Sequence, residues 1–378
     1  MPSNIKKLLI ISCSTGSGHF RAAEALRLTA QRLYPETEIL HIDLADYLYA
    51  FSRIIGVSSY NYLIYRIPKI YKFIYLLTDR PLTQKFLSII KPLLQSGAKK
   101  FLKKVQDYAP DYIISTHFAP QLILPNHPPA PLDTVITDYH VHRIWLAPNV
   151  RNFFVASEET KKELTDLGIK SIAAGIPIHP NFTEAKDTTG LKTKLGINNN
   201  WPIALVMPIS SGKITAKETI NAIFSYNKNI NVVAISGKDN QHTFNDLENI
   251  KKSGQKNFTI LKNADNIDEW MRIADVIVSK AGGLTISEAM YLQKPIIIIN
   301  PIPGQEDYNT AYLEKNHYGL KADSSDDLAR KIQMILANHD ITKTQHQSKH
   351  GAGQEKSHPN ASEIILKKIF LTSPLTIP

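Results

Sequence analysis

The segment running from Ser279 to Asn309 limits the possible folds of this chain more than any other. It reads as a strand end at Ser279, a Gly282-Gly283 turn, a helix over 285–292, a buried strand over 295–300, and a second polar loop, Pro301-Ile-Pro-Gly-Gln-Glu-Asp-Tyr-Asn309. A strand, a helix and a second, nearly unbroken apolar strand in succession belong in a parallel sheet covered on both faces. In such folds the strand carboxyl ends and helix N-termini bind anions, because backbone N–H groups without a helical partner point outward there. Two such loops so close together suggest a site for a phosphate group attached to something rich in hydroxyls.

The same rhythm covers most of the 378 residues. Apolar runs at 8–13, 38–43, 112–115, 134–137, 152–156 and 172–174 predict strands. Helices are expected over 19–33 and from Ser157, where Glu158 and Glu159 complement the helix dipole. The polar stretch 183–201 reads as a linker holding one short helix near 190–195. After it the pattern restarts, with strands over 203–207, 231–236, 258–261, 275–279 and 295–300. Helices over 216–225, 240–252, 267–273 and 285–292 alternate with them. The expected organisation is an N-terminal domain over 1–182, a C-terminal domain over 202–340, and a flexible tail over 341–378 ending in a short helix near 361–370. Two consecutive α/β domains of this kind predict a doubly wound pair facing across a cleft.

Charge is concentrated in one place. The formal net charge is +10, and residues 47–106 alone hold 11 Lys or Arg against one acid, Asp79. Tyrosines 47, 49, 60, 62, 65, 71 and 75 fall in the same segment, which reads as helices broken at Pro68, Pro81 and Pro92. Basic charge with interleaved aromatic rings suits an anionic membrane surface. The same ingredients would also serve a nucleic acid, or a solvated helical face over a tyrosine-rich core. The single cysteine, Cys13, rules out a disulfide within the chain and fits a reducing compartment. No run approaches the ~20 apolar residues needed to span a bilayer, so a soluble or peripheral protein is expected.

Several loops carry candidate chemistry. Cys13-Ser-Thr-Gly-Ser-Gly-His19 joins the first strand to the first helix; Gly16 and Gly18 permit a tight turn, and His19 would sit near the helix N-terminus as a neutral base. As a dinucleotide fingerprint this loop lacks the third glycine, although Asp43 ends the next strand. Met207-Pro-Ile-Ser-Ser-Gly-Lys213 offers Ser210, Ser211 and Gly212 as a phosphate cradle but is not a Walker loop. Thr285-x-x-Glu288 also fits a capping box, which would need no ligand. That reading leaves Gly282-Gly283 unexplained, together with Gln305, Glu306 and Asn309, whose carboxylate and amides suit sugar hydroxyls. The loop 137–145 contains Asp138, His140, His142 and Trp145; a zinc reading of its Asp and His residues finds no fourth ligand at a recognisable spacing.

With Gly16-Ser-Gly-His-Phe-Arg-Ala-Ala23, Thr137-Asp138…His142…Trp145, Gly175-Ile-Pro177, Lys280-Ala-Gly-Gly-x-Thr-x-x-Glu-Ala and Pro303-Gly-Gln-Glu-x-x-Asn309, the sequence resembles the diacylglycerol glycosyltransferases. These are the plant-type monogalactosyldiacylglycerol synthases and the bacterial processive diacylglycerol glucosyltransferases, and the likeness runs from about residue 5 to 337. It implies the GT-B fold, two Rossmann-like domains, and inverting transfer of glucose or galactose from a UDP-sugar to diacylglycerol without cofactor or metal. By position, Glu288 would hold the uridine ribose, Gly283 with Thr285 the diphosphate, and Gln305, Glu306 and Asn309 the sugar. Gly282, Ser211 and Gly212 are further donor-side candidates, although the loop 207–213 has one glycine where the family often has a glycine-rich loop. His19 would activate the acceptor or contact the lipid headgroup, with Gly18, Asp138, His142 and Trp145 on the acceptor side. The family's membrane-docking region falls at 47–106. That position implies a peripheral enzyme on the cytoplasmic face of an anionic membrane, with no nucleic-acid partner. Rival readings are a peptidoglycan-precursor N-acetylglucosaminyltransferase, a UDP-sugar 2-epimerase, and a non-catalytic, membrane-attached UDP-sugar-binding protein.

Overall fold

A computed structural model describes residues 5–14, 16–47, 64, 67–188, 190–209, 212–237, 240–337 and 360–372. Tyr49, Tyr60, Tyr62, Tyr65, Ser210, Ser211 and the 341–358 part of the expected tail lie outside the described residues. The chain divides into two compact units. The first comprises Met1–Thr183, Pro303–Gln305 and Pro359–Pro378, and the second Glu184–Ile302 and Glu306–His358.

The first unit is built on a six-stranded parallel sheet: β1 (Lys7–Ser12), β2 (Glu38–Asp43), β3 (Tyr112–Ser115), β4 (Leu132–Val135), β5 (Asn152–Val155) and β6 (Ser171–Ala173). Their order across the sheet is β2-β1-β3-β4-β5-β6, so the direction of winding reverses between β1 and β3. The alternation within β1 explains the layering. Leu8 and Ile10 pack on one face against Leu26 and Ala30 of helix Ser17–Leu33, and Leu9 and Ile11 on the other against Phe101 and Val105 of helix Lys99–Tyr108.

The second unit repeats the plan with β7 (Ile203–Val206), β8 (Asn231–Ile235), β9 (Phe258–Leu261), β10 (Val276–Ser279), β11 (Ile296–Ile298) and β12 (Gly319–Lys321). The order β12-β11-β10-β7-β8-β9 is also fully parallel and reverses between β7 and β10. Ala204 and Val206 pack with Ile220 and Ile223 of helix Ala216–Tyr226 and with Leu328 and Ile332 of helix Ser325–Ala337. Ligands in doubly wound sheets collect at the strand carboxyl ends beside such reversals. The loops after β1 and β3 in one unit, and after β7 and β10 in the other, lie at such positions.

Several expectations need correction. The helix after β10 spans Gly283–Tyr291 with Gly282 as its N-cap, so Thr285 is its third residue and cannot cap it; the capping box does not form. Gln305, Glu306 and Asn309 lie on a helix, Gln305–Lys315, not in a loop. Helices begin at Pro68 and directly after Pro81, where a missing N–H costs nothing, but helix Leu82–Gly97 continues through Pro92. The expected terminal helix spans Ala361–Thr372 and belongs to the first unit. Its Ile365, Leu366, Ile369 and Phe370 join the first unit's core, and Phe370 stacks on Tyr34 with ring centres 3.6 Å apart.

Candidate active site

In the first unit, His19 is brought to the winding reversal as the third residue of its helix. Its Nδ1 lies 2.9 Å from the carbonyl oxygen of Thr116, just past β3, and 2.9 Å from Thr137 Oγ1. A carbonyl can only accept, so Nδ1 carries the proton and Nε2 presents a lone pair. Burial holds the His19 imidazole below the ordinary histidine range; the Asp138 carboxylate and the Thr116 carbonyl oppose this without reversing it. Against His19 lie the rings of His117, edge-on at 4.6 Å, and Trp145 at 6.0 Å. His117 Nδ1 accepts from Ala119 N at 3.0 Å, and burial, then the neighbouring His19, push its pKa far down, so it is a neutral wall. Gly16 and Gly18 have open space where a Cβ would stand, so their small size is not demanded by packing.

Thr116 and His117 were not legible as site residues from their sequence neighbours. Asp79 and Glu163 were missed for the same reason, since both reach the loop 137–145 from other elements. Asp79 accepts from Arg143 N at 2.8 Å, and Glu163 accepts from Val141 N at 2.9 Å. His140 sits between these two carboxylates, with Nε2 3.5 Å from Asp79 and Nδ1 3.0 Å from Glu163. Burial favours its neutral form, but the two carboxylates outweigh that and raise its pKa to about 9. His142 behaves oppositely. Its Nδ1 accepts from Ile144 N at 3.0 Å and its Nε2 donates to the Tyr75 carbonyl at 2.9 Å, and burial holds its pKa down. Asp138, His140 and His142 therefore each face different partners. Both Asp138 oxygens accept from Gln305 Nε2, at 2.9 and 2.8 Å.

In the second unit, helix Gly283–Tyr291 starts directly beyond β10 with no side chain capping it. Its first internal bond runs from Ile286 N to Gly282 O, which leaves the amides of residues 283–285 without acceptors inside the helix. Asn309 is fully buried and donates to the Ala281 carbonyl at 3.0 Å, fixing the Gly-Gly loop from behind. Glu306 is buried and accepts from Ile302 N at 2.8 Å, shaping the approach to its own helix. Glu288 is fully buried within the helix, whereas Thr285 is partly exposed. Across the winding reversal, Gly212 adopts φ +140°, and a Cβ there would collide with the Asn300 side chain. Asn300 accepts from Ile214 N at 3.0 Å and donates to Ile214 O at 2.6 Å, pinning the loop after β7. Asn300 is a further residue the sequence did not single out; its own left-handed φ of +48° makes an asparagine reasonable there.

The described part of the basic segment carries an exposed apolar face. Ile70, Phe73, Ile74 and Leu77 on helix Pro68–Thr78 recur at helical spacing, as do Leu82, Phe86, Ile89 and Leu93 on helix Leu82–Gly97. Leu93 and Ile89 are 73% and 76% exposed, far beyond the usual exposure of core-type residues. Among the described residues, no helix is long and apolar enough to cross a membrane.

Residues 19–178 match the monogalactosyldiacylglycerol (MGDG) synthase family, and residues 210–364 match the glycosyltransferase family 28 C-terminal domain. The two matches follow one another in the chain and together take in most of it. The chain belongs to the diacylglycerol glycosyltransferases of glycosyltransferase family 28. Relatives in this family include a processive diacylglycerol beta-glucosyltransferase of Bacillus subtilis, 26% identical over 388 residues, covering 98% of this chain and 96% of the relative. A Bacillus cereus protein of the same name is 28% identical over 346 residues, covering 87% and 85%. Among solved structures, UDP-GlcNAc 2-epimerase of Neisseria meningitidis bound to UDP-GlcNAc superposes with a TM-score of 0.60 at 14% identity, over 97% of this chain and 100% of that one. MurG of Acinetobacter baumannii gives 0.55 at 13% identity, over 96% and 99%. At these identities the two structures speak for the fold, which is GT-B, as expected for the family.

Proposed function

We propose that this protein is an inverting hexosyltransferase that moves glucose or galactose from a UDP-sugar to the free hydroxyl of diacylglycerol, working peripherally on the cytoplasmic face of an anionic membrane. The observation that carries the reading is His19. It is a neutral imidazole whose Nδ1–H is tied to the Thr116 carbonyl, leaving Nε2 as a base at the carboxyl edge of the first sheet. Membership of the diacylglycerol glycosyltransferase family supplies the donor and acceptor classes.

In the proposed reaction the lipid hydroxyl gives its proton to His19 Nε2 as its oxygen attacks the anomeric carbon. The bond from that carbon to the diphosphate breaks, and its electron pair leaves with UDP. The helix amides of 283–285 are the proposed donors to the growing negative charge, where preorganised hydrogen bonds are worth most. Asp138 favours the imidazolium that forms, since its charge raises the His19 pKa. Attack opposite the leaving group turns an α-linked donor into a β-linked product. Gln305 is the residue proposed to read the sugar, with Asn309 and Glu306 shaping the loops around it. Glu288 is proposed for the ribose side and Gly212 for the phosphate side, with no metal or cofactor taking part.

Membrane attachment is proposed through the apolar face of helices Pro68–Thr78 and Leu82–Gly97, with Lys69, Lys72, Lys85 and Lys91 beside it to attract anionic headgroups. The test is thin-layer separation of products from labelled UDP-glucose or UDP-galactose with diacylglycerol in anionic liposomes, with and without EDTA. A labelled glycolipid from at least one donor, formed equally with EDTA, is expected. A product that vanishes with EDTA would end the metal-free mechanism, and label released only as free sugar would end the acceptor assignment.

A further inference from the structure

Asp79, the sole acid of the strongly basic segment 47–106, is turned inward. It follows helix Pro68–Thr78 directly, accepts from the backbone of Arg143 at 2.8 Å, and faces His140 at 3.5 Å. Glu163, from helix Glu158–Asp166, meets the other nitrogen of the same ring at 3.0 Å and the backbone of Val141 at 2.9 Å. A neutral imidazole has one N–H, which Glu163 at 3.0 Å can take, whereas the doubly protonated ring also sets a positive charge beside Asp79, an ion pair at 3.5 Å and not a hydrogen bond. Further ties run beside this bridge from the two membrane-facing helices. The Tyr75 carbonyl accepts from His142 Nε2, Thr78 Oγ1 lies 3.3 Å from that nitrogen, and Gln84 Nε2 donates to the Arg143 carbonyl. The loop so held begins at Thr137, whose hydroxyl touches His19 Nδ1, and ends at Trp145, whose ring lies against His19.

We propose that Asp79, His140 and Glu163 form a positioning clamp that transmits the seating of helices Pro68–Thr78 and Leu82–Gly97 on a membrane to the geometry of the loop 137–145 around His19. The inference rests on the functional reading above and adds to it residues outside the reacting groups. None of the three touches the reaction; they act through Thr137, Asp138 and Trp145. The titratable groups facing His140 are Asp79 and Glu163 from two different elements, and His142 on its own loop, whose pKa burial holds down. The clamp is therefore closed while His140 is protonated and opens as pH rises through about 9.

Asp79→Asn keeps an acceptor for Arg143 N but removes the charge, and Glu163→Gln does the same from the other side. Each is compared with the wild-type protein in three measurements: kcat/KM for diacylglycerol in anionic liposomes across pH 6–10, vesicle sedimentation, and amide hydrogen exchange at Val141 and Arg143. Expected for both variants is about a tenfold loss of kcat/KM, the scale of one charged hydrogen bond. The alkaline limb should move to lower pH, exchange at residues 141 and 143 should speed up, and vesicle binding should be unchanged. Activity within about twofold of wild type with an unmoved alkaline limb would overturn the clamp, and so would a parallel loss of vesicle binding. If the wild-type protein itself transfers no sugar, the functional reading fails. The exchange data then still decide whether the two carboxylates hold the loop.

Discussion

Replacing His19 by glutamine separates its proton chemistry from its packing. The glutamine amide could still donate to the Thr116 carbonyl, where His19 Nδ1 now lies at 2.9 Å, but it would offer no basic nitrogen to the acceptor hydroxyl. General-base catalysis contributes about 10²–10⁴-fold, and at 1.36 kcal/mol per decade that is ~2.7–5.4 kcal/mol of barrier. The expected loss in kcat therefore falls in that window, with KM for the UDP-sugar unchanged within about twofold because the proposed donor residues lie on other elements. Burial holds the His19 pKa below the ordinary 6.5, so the base is already deprotonated at neutral pH, and the acid limb of kcat/KM should have its midpoint below 6.5. The assay is initial-rate formation of labelled glycolipid over pH 5–8, for the wild-type protein and for the His19→Gln and His19→Ala variants. A His19→Gln enzyme with turnover within about threefold of wild type would refute the base assignment, as would an acid limb centred well above 6.5.

Other consequences can be checked in parallel. Because the folded pKa of His140 is raised, its contribution to stability is complete below about pH 6.5 and is lost as pH rises towards about 9. The Tm should fall over that interval, and fall less steeply in Asp79→Asn; a flat Tm would contradict the bridge. Phe86→Glu combined with Ile89→Glu, at the centre of the exposed face, should abolish sedimentation with anionic vesicles, since each native side chain is worth ~1.5–3 kcal/mol when buried. The same double variant should bind UDP normally by calorimetry. Gly212→Ala sets a Cβ against Asn300 at φ +140° and should cost about 1–3 kcal/mol of stability in denaturant titration, with weaker UDP binding.

Much of this architecture can be read from the residues themselves because parallel strands buried on both faces leave short, nearly pure apolar runs. The strand Glu38–Asp43 and the helix start at Ser157, whose Oγ accepts from Thr160 N at 3.2 Å, follow from local chemistry alone. What was hidden depends on residues far apart in sequence. Thr285-x-x-Glu288 mimics a capping box, yet the helix begins two residues earlier because Gly282 already has the extended backbone of an N-cap. Asn309 and Glu306 look like sugar ligands by type, and only the packing reveals that they hold backbone groups at Ala281 and Ile302. Nothing local distinguishes Asp79 from any other surface acid, since its partners lie more than 60 residues away. The place of helix Ala361–Thr372 in the first unit's core is equally invisible from the polar stretch that precedes it.

The central claim is that one chain carries sugar from a nucleotide donor to a lipid hydroxyl with inversion. Its most direct test is to incubate the protein with α-linked UDP-[¹³C]glucose or UDP-[¹³C]galactose and diacylglycerol in anionic liposomes, then read the anomeric proton–proton coupling of the extracted glycolipid by NMR. The account predicts a single new β-anomeric signal that is absent from the His19→Gln reaction. An α-linked product, or UDP release with no glycolipid from either donor, would contradict it.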